Sequence, residues 1–169
     1  MKRLWMLALC VISCTLLAAA ADSHSPLAMK AFLRGLNEVP PTASTATGTF
    51  VATPNGDGTF NFTLTFSGLA APALVSHIHF APTKVAGGVM IFLCGGGNQP
   101  ACPAATAATV TGTFGSANVV GPTAQGVAVG DLATALKQVV QGAGYVNVHD
   151  SVFPAGEIRG QVFFGFDGH

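Results

Sequence analysis

The chain has 169 residues, of which 8% are charged, with seven Lys or Arg balancing seven Asp or Glu. That balance offers no basic stripe to nucleic acid, and a composition that is 50% hydrophobic argues against intrinsic disorder. The length suits one domain with a core of its own, and 21 glycines beside 12 phenylalanines point to a β protein rich in turns.

Met1-Lys2-Arg3 is a short basic start, and Leu4 to Ala21 follows without a charge. Ala19-Ala20-Ala21 before Asp22 reads as a cleavage site, so residues 1–21 have the three-part pattern of a secretory signal peptide. Two other readings are an uncleaved anchor and a lipoprotein lipidated at Cys14, from Val11-Ile12-Ser13-Cys14. Cleavage after Ala21 removes Lys2, Arg3, Cys10 and Cys14. The remainder is slightly acidic, has no membrane span, and keeps two cysteines, Cys94 and Cys102. In an exported chain that pair predicts a disulfide around a short Gly-rich loop, whereas its spacing fits no common zinc motif.

Residues 22–28 form an N-terminal extension. The first strand is expected over Lys30 to Glu38, ended by Pro40-Pro41. Thr47 to Ala52 is the second, and Pro54-Asn55-Gly56-Asp57-Gly58 is a strong hairpin signal. Phe60, Phe62, Leu64 and Phe66 then alternate with Asn61, Thr63 and Thr65, the period of a half-buried strand. Leu74 to Phe80, Val89 to Leu93 and Thr109 to Phe114 continue the series. Ala101 to Ala108 and Gly121 to Gly130 read as surface loops. Asp131 is placed to cap a helix whose apolar stripe is Leu132, Leu136, Val139 and Val140, with Gly142 beyond its end. Tyr145 to His149 and Glu157 to Phe164 complete the strands, and residues 165–169 form a tail. The pattern predicts an all-β domain, an antiparallel Greek-key sandwich or barrel with one short helix.

His77 and His79 stand two apart on a strand, so their rings share a face. His149 ends another strand, where Tyr145, Asn147 and His149 share a face. If the two strands meet, three imidazoles converge, a donor set suited to copper or zinc with one open position. Glu157 or Asp150 then stands as a fourth ligand or as a partner that fixes a ring tautomer. Alternatively the histidines are structural, hydrogen-bonded to the backbone. Glu38 or Glu157 is expected to form a semi-buried ion pair with Arg159. No nucleophile elbow, thiol–base pair or phosphate loop is present.

Several blocks carry a resemblance: Asn37-Glu38-Val39-Pro40-Pro41, Ser67-Gly68-Leu69 before Ser76-His77-Ile78-His79, and Tyr145-Val146-Asn147-Val148-His149 before Pro154-Ala155-Gly156-Glu157-Ile158-Arg159-Gly160-Gln161. In this order they resemble the CHRD domain, first described in chordin and also found alone in exported bacterial proteins, over residues 29–164. The resemblance implies an immunoglobulin-like or superoxide-dismutase-like β-sandwich. It leaves the biochemical role undefined, because a lone copy does not inherit chordin's antagonism of growth factors. His77, His79, His149, Glu157 and Arg159 match the family pattern, while Asp150 stands where the family usually has Thr, a change that either strengthens a cation site or caps a turn.

Three functions follow as expectations. The first is a periplasmic or secreted, non-enzymatic protein that binds copper or zinc through His77, His79 and His149. The second is a metal-free extracellular module for adhesion or protein interaction. The third is a small metalloenzyme, which would need an open metal position and a second catalytic group.

Overall fold

The computed structural model describes residues 27–166. The signal-peptide reading of residues 1–21, Cys10, Cys14, His24 and the last three residues, His169 included, lie outside that range. The strands are β1 (Leu27–Arg34), β2 (Thr47–Pro54), β3 (Phe60–Ser67), β4 (Val75–Phe80), β5 (Gly88–Cys94), β6 (Ala108–Phe114), β7 (Gly144–His149), β8 (Ile158–Gln161) and β9 (Phe163–Phe166). One helix, α1 (Leu132–Val140), precedes β7.

The expected all-β antiparallel architecture with one short helix is present, but as a single sheet rather than a two-sheet sandwich. Its order is β5-β4-β7-β8-β1-β2-β3-β6, with β9 also paired to β1. The sheet curls into a nearly closed barrel. Strand alternation fixes which face of each strand is buried, but not whether the faces close on one another within one sheet or across two. The two end strands approach across the gap. Ile91 of β5 bridges to Val119, Gln99 donates to the Thr113 carbonyl at 2.9 Å, and the Cys94–Cys102 disulfide pins the end of β5 to the loop leading into β6.

Most predicted strands shift by one or two residues at an end, and two differ by more. The first ends at Arg34 rather than at Glu38. Gly35–Asn37 forms a tight 3-10 turn, and the amides of Glu38 and Thr42 both return to the Gly35 carbonyl, at 3.1 and 3.0 Å. A side chain at Gly35 would collide with Thr42 Oγ1 and the Ser44 carbonyl, so the chain crosses there closely and carries Glu38 over the sheet. The expected last strand divides at Val162, whose amide donates to the Gly144 carbonyl at 2.8 Å. Below that break β8 pairs with β7; beyond it β9 pairs with β1. Gly165 and Phe166, read as tail, belong to β9.

The β2–β3 hairpin forms as its sequence requires. Asp57 Oδ1 accepts from the Thr59 amide and hydroxyl, at 2.9 and 2.6 Å, and Gly56 and Gly58 take the left-handed backbone. Phe62, Leu64 and Phe66 point inward with Phe50 of β2. Burial of each such side chain contributes about 1.5–3 kcal/mol. Ile78, Val146, Val148 and Ile158 fill the same interior from β4, β7 and β8. Asp131 caps α1 by accepting from the Thr134 amide. The helix buries Leu132, Ala135 and Val139, while Val140 faces solvent because its angle falls outside the stripe. Among the described residues no helix is long and apolar enough to cross a membrane.

Candidate metal centre

β4 and β7 pair antiparallel, setting His77 opposite Asn147, Val75 opposite His149 and His79 opposite Tyr145. β8 continues the row, with Arg159 opposite Asn147 and Gln161 opposite Tyr145. Since Ile78, Val146, Val148 and Ile158 occupy the barrel interior, the alternate residues must share the outer face. Three loops cover that face. Arg159 donates to the carbonyls of Val85 and Pro82, at 2.9 and 3.1 Å. Asn37 Nδ2 donates to the Arg159 carbonyl and Thr42 Oγ1 to the Glu157 carbonyl, at 3.0 and 2.8 Å. The Pro154 carbonyl lies against His149.

Under this cover the three histidines converge. They are 7–8% exposed, and each offers one ring nitrogen such that the three lie within 4.8 Å of one another. Their tautomers follow from their outer partners, because a carbonyl oxygen only accepts. His79 Nδ1–H donates to the Gly87 carbonyl at 3.0 Å. His149 Nδ1–H donates to the Pro154 carbonyl at 3.1 Å. Both rings therefore turn a bare Nε2 inward. His79 Nε2 is buried and has no hydrogen-bond partner. His149 Nε2 lies 3.2 Å from His77 Nδ1. Two nitrogens on one ion at ordinary bond lengths stand about 3.3–3.6 Å apart, so this pair is nearly in place.

The ring planes are fixed by packing. His77 meets Phe92 edge-on, with centroids 4.4 Å apart. His79 stacks on Tyr145 at 4.7 Å and 5°, and the Arg159 guanidinium sits 3.4 Å from the Tyr145 ring centroid on a cation–π contact. Burial, reinforced by the neighbouring histidines, pushes His77 down to about 3. Burial likewise pushes His79 down to about 4 and lowers His149. All three rings are thus neutral at physiological pH, the form that binds a metal ion.

Glu38 enters the same layer from the loop after β1. Burial raises its carboxyl to about 7, against the opposing pull of Arg159, the Val39 amide and the Asn147 side chain. Glu38 Oε1 is buried without a hydrogen-bond partner, and a side chain at Gly156 would strike it. The expected direct ion pair with Arg159 does not form. Arg159 is held by two carbonyls and an aromatic ring, and Glu38 acts on it only through longer-range charge.

Residues 29–162 match the CHRD domain family. The chain belongs to the CHRD domain family. No curated protein and no solved structure matches it, so the properties of this CHRD domain rest on its own residues.

The carboxylates proposed as extra ligands lie elsewhere in the CHRD domain. Asp150 Oδ1 accepts from the amides of Val152 and Phe153, at 2.9 and 2.6 Å, and Oδ2 from Ala71, at 2.7 Å. Glu157 Oε1 takes the Ser44 hydroxyl at 2.5 Å, and both its oxygens lie 3.1 Å from the Ala70 amide. Burial raises Glu157; at Asp150 burial also pushes upward, but the amides of Phe153, Ala71 and Val152 together outweigh it and hold the carboxylate below its ordinary range. Asp150 thus organises the turn after β7, and neither carboxylate belongs to the histidine group. The reason is positional: Asp150 follows the last residue of β7 and Glu157 precedes the first of β8, so strand alternation does not aim either one. The polar residue that does reach the histidines is Asn147, whose Oδ1 is 2.9 Å from His149 Nε2. Its shared strand face with His149 is the signal in the sequence that points to it.

Proposed function

We propose that this CHRD domain is an exported, non-enzymatic protein that binds one transition-metal ion, copper or zinc, through His77, His79 and His149. The observation that carries the reading is the pairing of the outer ring nitrogens with carbonyl oxygens, which fixes where the ring protons must lie. His79 and His149 hold theirs outward on carbonyls and turn bare nitrogens into a buried space. The third ring, through a proton on His77 Nδ1, reaches His149 Nε2 at 3.2 Å, but His79 Nε2 is buried without a donor, and a buried acceptor left so is costly unless a cation takes it. Imidazole donors suit zinc and copper, and carbonyl partners on the outer nitrogens orient the rings as in established metal sites. Export is supported by the Met1 to Ala21 pattern and by the Cys94–Cys102 disulfide.

The test is metal analysis of the protein produced without a tag, followed by zinc and copper titration. One equivalent is expected in the natural sequence and none in His77→Ala/His79→Ala. Equal, weak binding by both proteins refutes the site. In that event the interaction-module reading gains ground; exposed Phe32 and Phe163, with ring centroids 5.7 Å apart on the outer face of β1 and β9, would be its first candidate contact.

A further inference from the structure

Asn147 is 2% exposed, stands directly opposite His77 on the neighbouring strand, and lies two residues before His149 on the same face. Its amide nitrogen lies on the side away from the histidines, beside Glu38: a Cβ added at Gly156 would meet Glu38 Oε1 and Asn147 Nδ2 alike. That placement sets the other end of the amide. Oδ1 is turned among the rings, 2.9 Å from His149 Nε2.

This contact is unfavourable in the metal-free protein. His149 carries its proton on Nδ1, toward Pro154, so Nε2 presents a lone pair to an oxygen that also presents lone pairs. The neighbouring His79 Nε2 is likewise bare and has no partner. The one proton left for this cluster, on His77 Nδ1, serves His149 Nε2 at 3.2 Å, and none remains for His79 Nε2 or for Asn147 Oδ1. A cation between them relieves the repulsion, and it would meet four donors rather than three.

We propose that Asn147 Oδ1 is the fourth ligand and closes the site. The inference rests on the metal-binding reading above. It makes the ion a four-coordinate N3O centre with neutral ligands throughout and replaces the open position expected from three histidines. A closed site holds its ion and gives no place for water or substrate to be activated, which separates retention or structural use from hydrolysis. Glu38 is then a positioning residue, holding the amide with its oxygen inward.

Cobalt(II) loading with azide addition tests this directly. The natural sequence is expected to give the intense visible bands of a four-coordinate site, and azide is expected to leave them unchanged. Asn147→Ala is expected to bind cobalt about tenfold or more weakly and to acquire an azide-dependent spectrum, because one position opens. Asn147→Asp keeps an oxygen in place and is expected to remain azide-insensitive, so a folding failure of the alanine variant leaves two proteins that decide the matter. Azide binding to the natural sequence overturns the fourth-ligand assignment and leaves the three-histidine site standing. So does an alanine variant that is as tight and as insensitive as the natural protein. Failure of the natural sequence to bind cobalt overturns both proposals.

Discussion

Asp150→Ala removes the most heavily used acceptor in the turn after β7, and its cost is worked out from the bonds lost. The carboxylate is fully buried and accepts from three backbone amides, those of Ala71, Val152 and Phe153, at 2.6–2.9 Å. Leaving one buried donor unmet costs about 1–3 kcal/mol. Some water will enter the space vacated by the carboxylate, so the total should be about 3–5 kcal/mol rather than the full sum. Asp150→Asn keeps one acceptor oxygen but turns an amide group toward the remaining donors, and should lose about 2 kcal/mol. The assay is urea unfolding of chelator-treated protein at neutral pH, with the midpoint and slope both fitted. A loss under about 1 kcal/mol for Asp150→Ala would refute the assignment of Asp150 as the organiser of this turn. Metal stoichiometry in the folded Asp150→Asn protein should be unchanged, because the carboxylate is outside the histidine group.

Further outcomes follow from the same geometry. Cys94→Ser/Cys102→Ser should lower stability by about 2–3 kcal/mol on the chain-entropy estimate for so short a loop, and unfolding with and without reductant checks it: reductant should destabilise the natural protein but not the variant. Arg159→Lys should cost about 2–4 kcal/mol, since lysine cannot span both the Pro82 and Val85 carbonyls while lying over Tyr145; an unchanged melting temperature would show that the guanidinium contacts do not matter. The metal-free domain should lose stability as pH falls from about 6.5 toward 4. Burial holds the folded rings below that range, with His77 near 3, His79 near 4 and His149 lowered, while the unfolded chain protonates its own near 6.5. Glu38, raised to about 7, and Glu157, raised by burial, oppose this by holding protons in the folded state. The net difference is about one to two protons, or roughly 1–3 kcal/mol per pH unit. A flat or rising stability profile on acidification would contradict it.

The sequence alone was enough for the local features. Alternation along Phe60 to Phe66 assigned β3 and its buried face, the Pro54–Gly58 turn assigned the hairpin, and Asp131 with Gly142 bracketed α1, because each depends on neighbours within a few residues. The even cysteine pair gave the disulfide. His77 and His79 were legible as a pair because two residues on one strand share a face wherever that strand goes. The family was legible too, through ordered blocks that the CHRD match covers.

Tertiary structure decided what depends on partners distant in the chain. Strand pairing brought His149, 72 residues on, to within 3.2 Å of His77, and placed Asn147 opposite it. The close crossing at Gly35 turned Glu38 out of the predicted strand and over Asn147. The break at Val162 let β8 and β9 both use β1, so that one sheet curls round the core where a sandwich was expected. The choice between the two readings of Asp150, cation ligand and turn cap, has the same origin. Side-chain alternation is a property of a single strand and is written into residue order, whereas the direction in which a carboxylate at a strand end points is set by whichever backbone amides the fold brings to it.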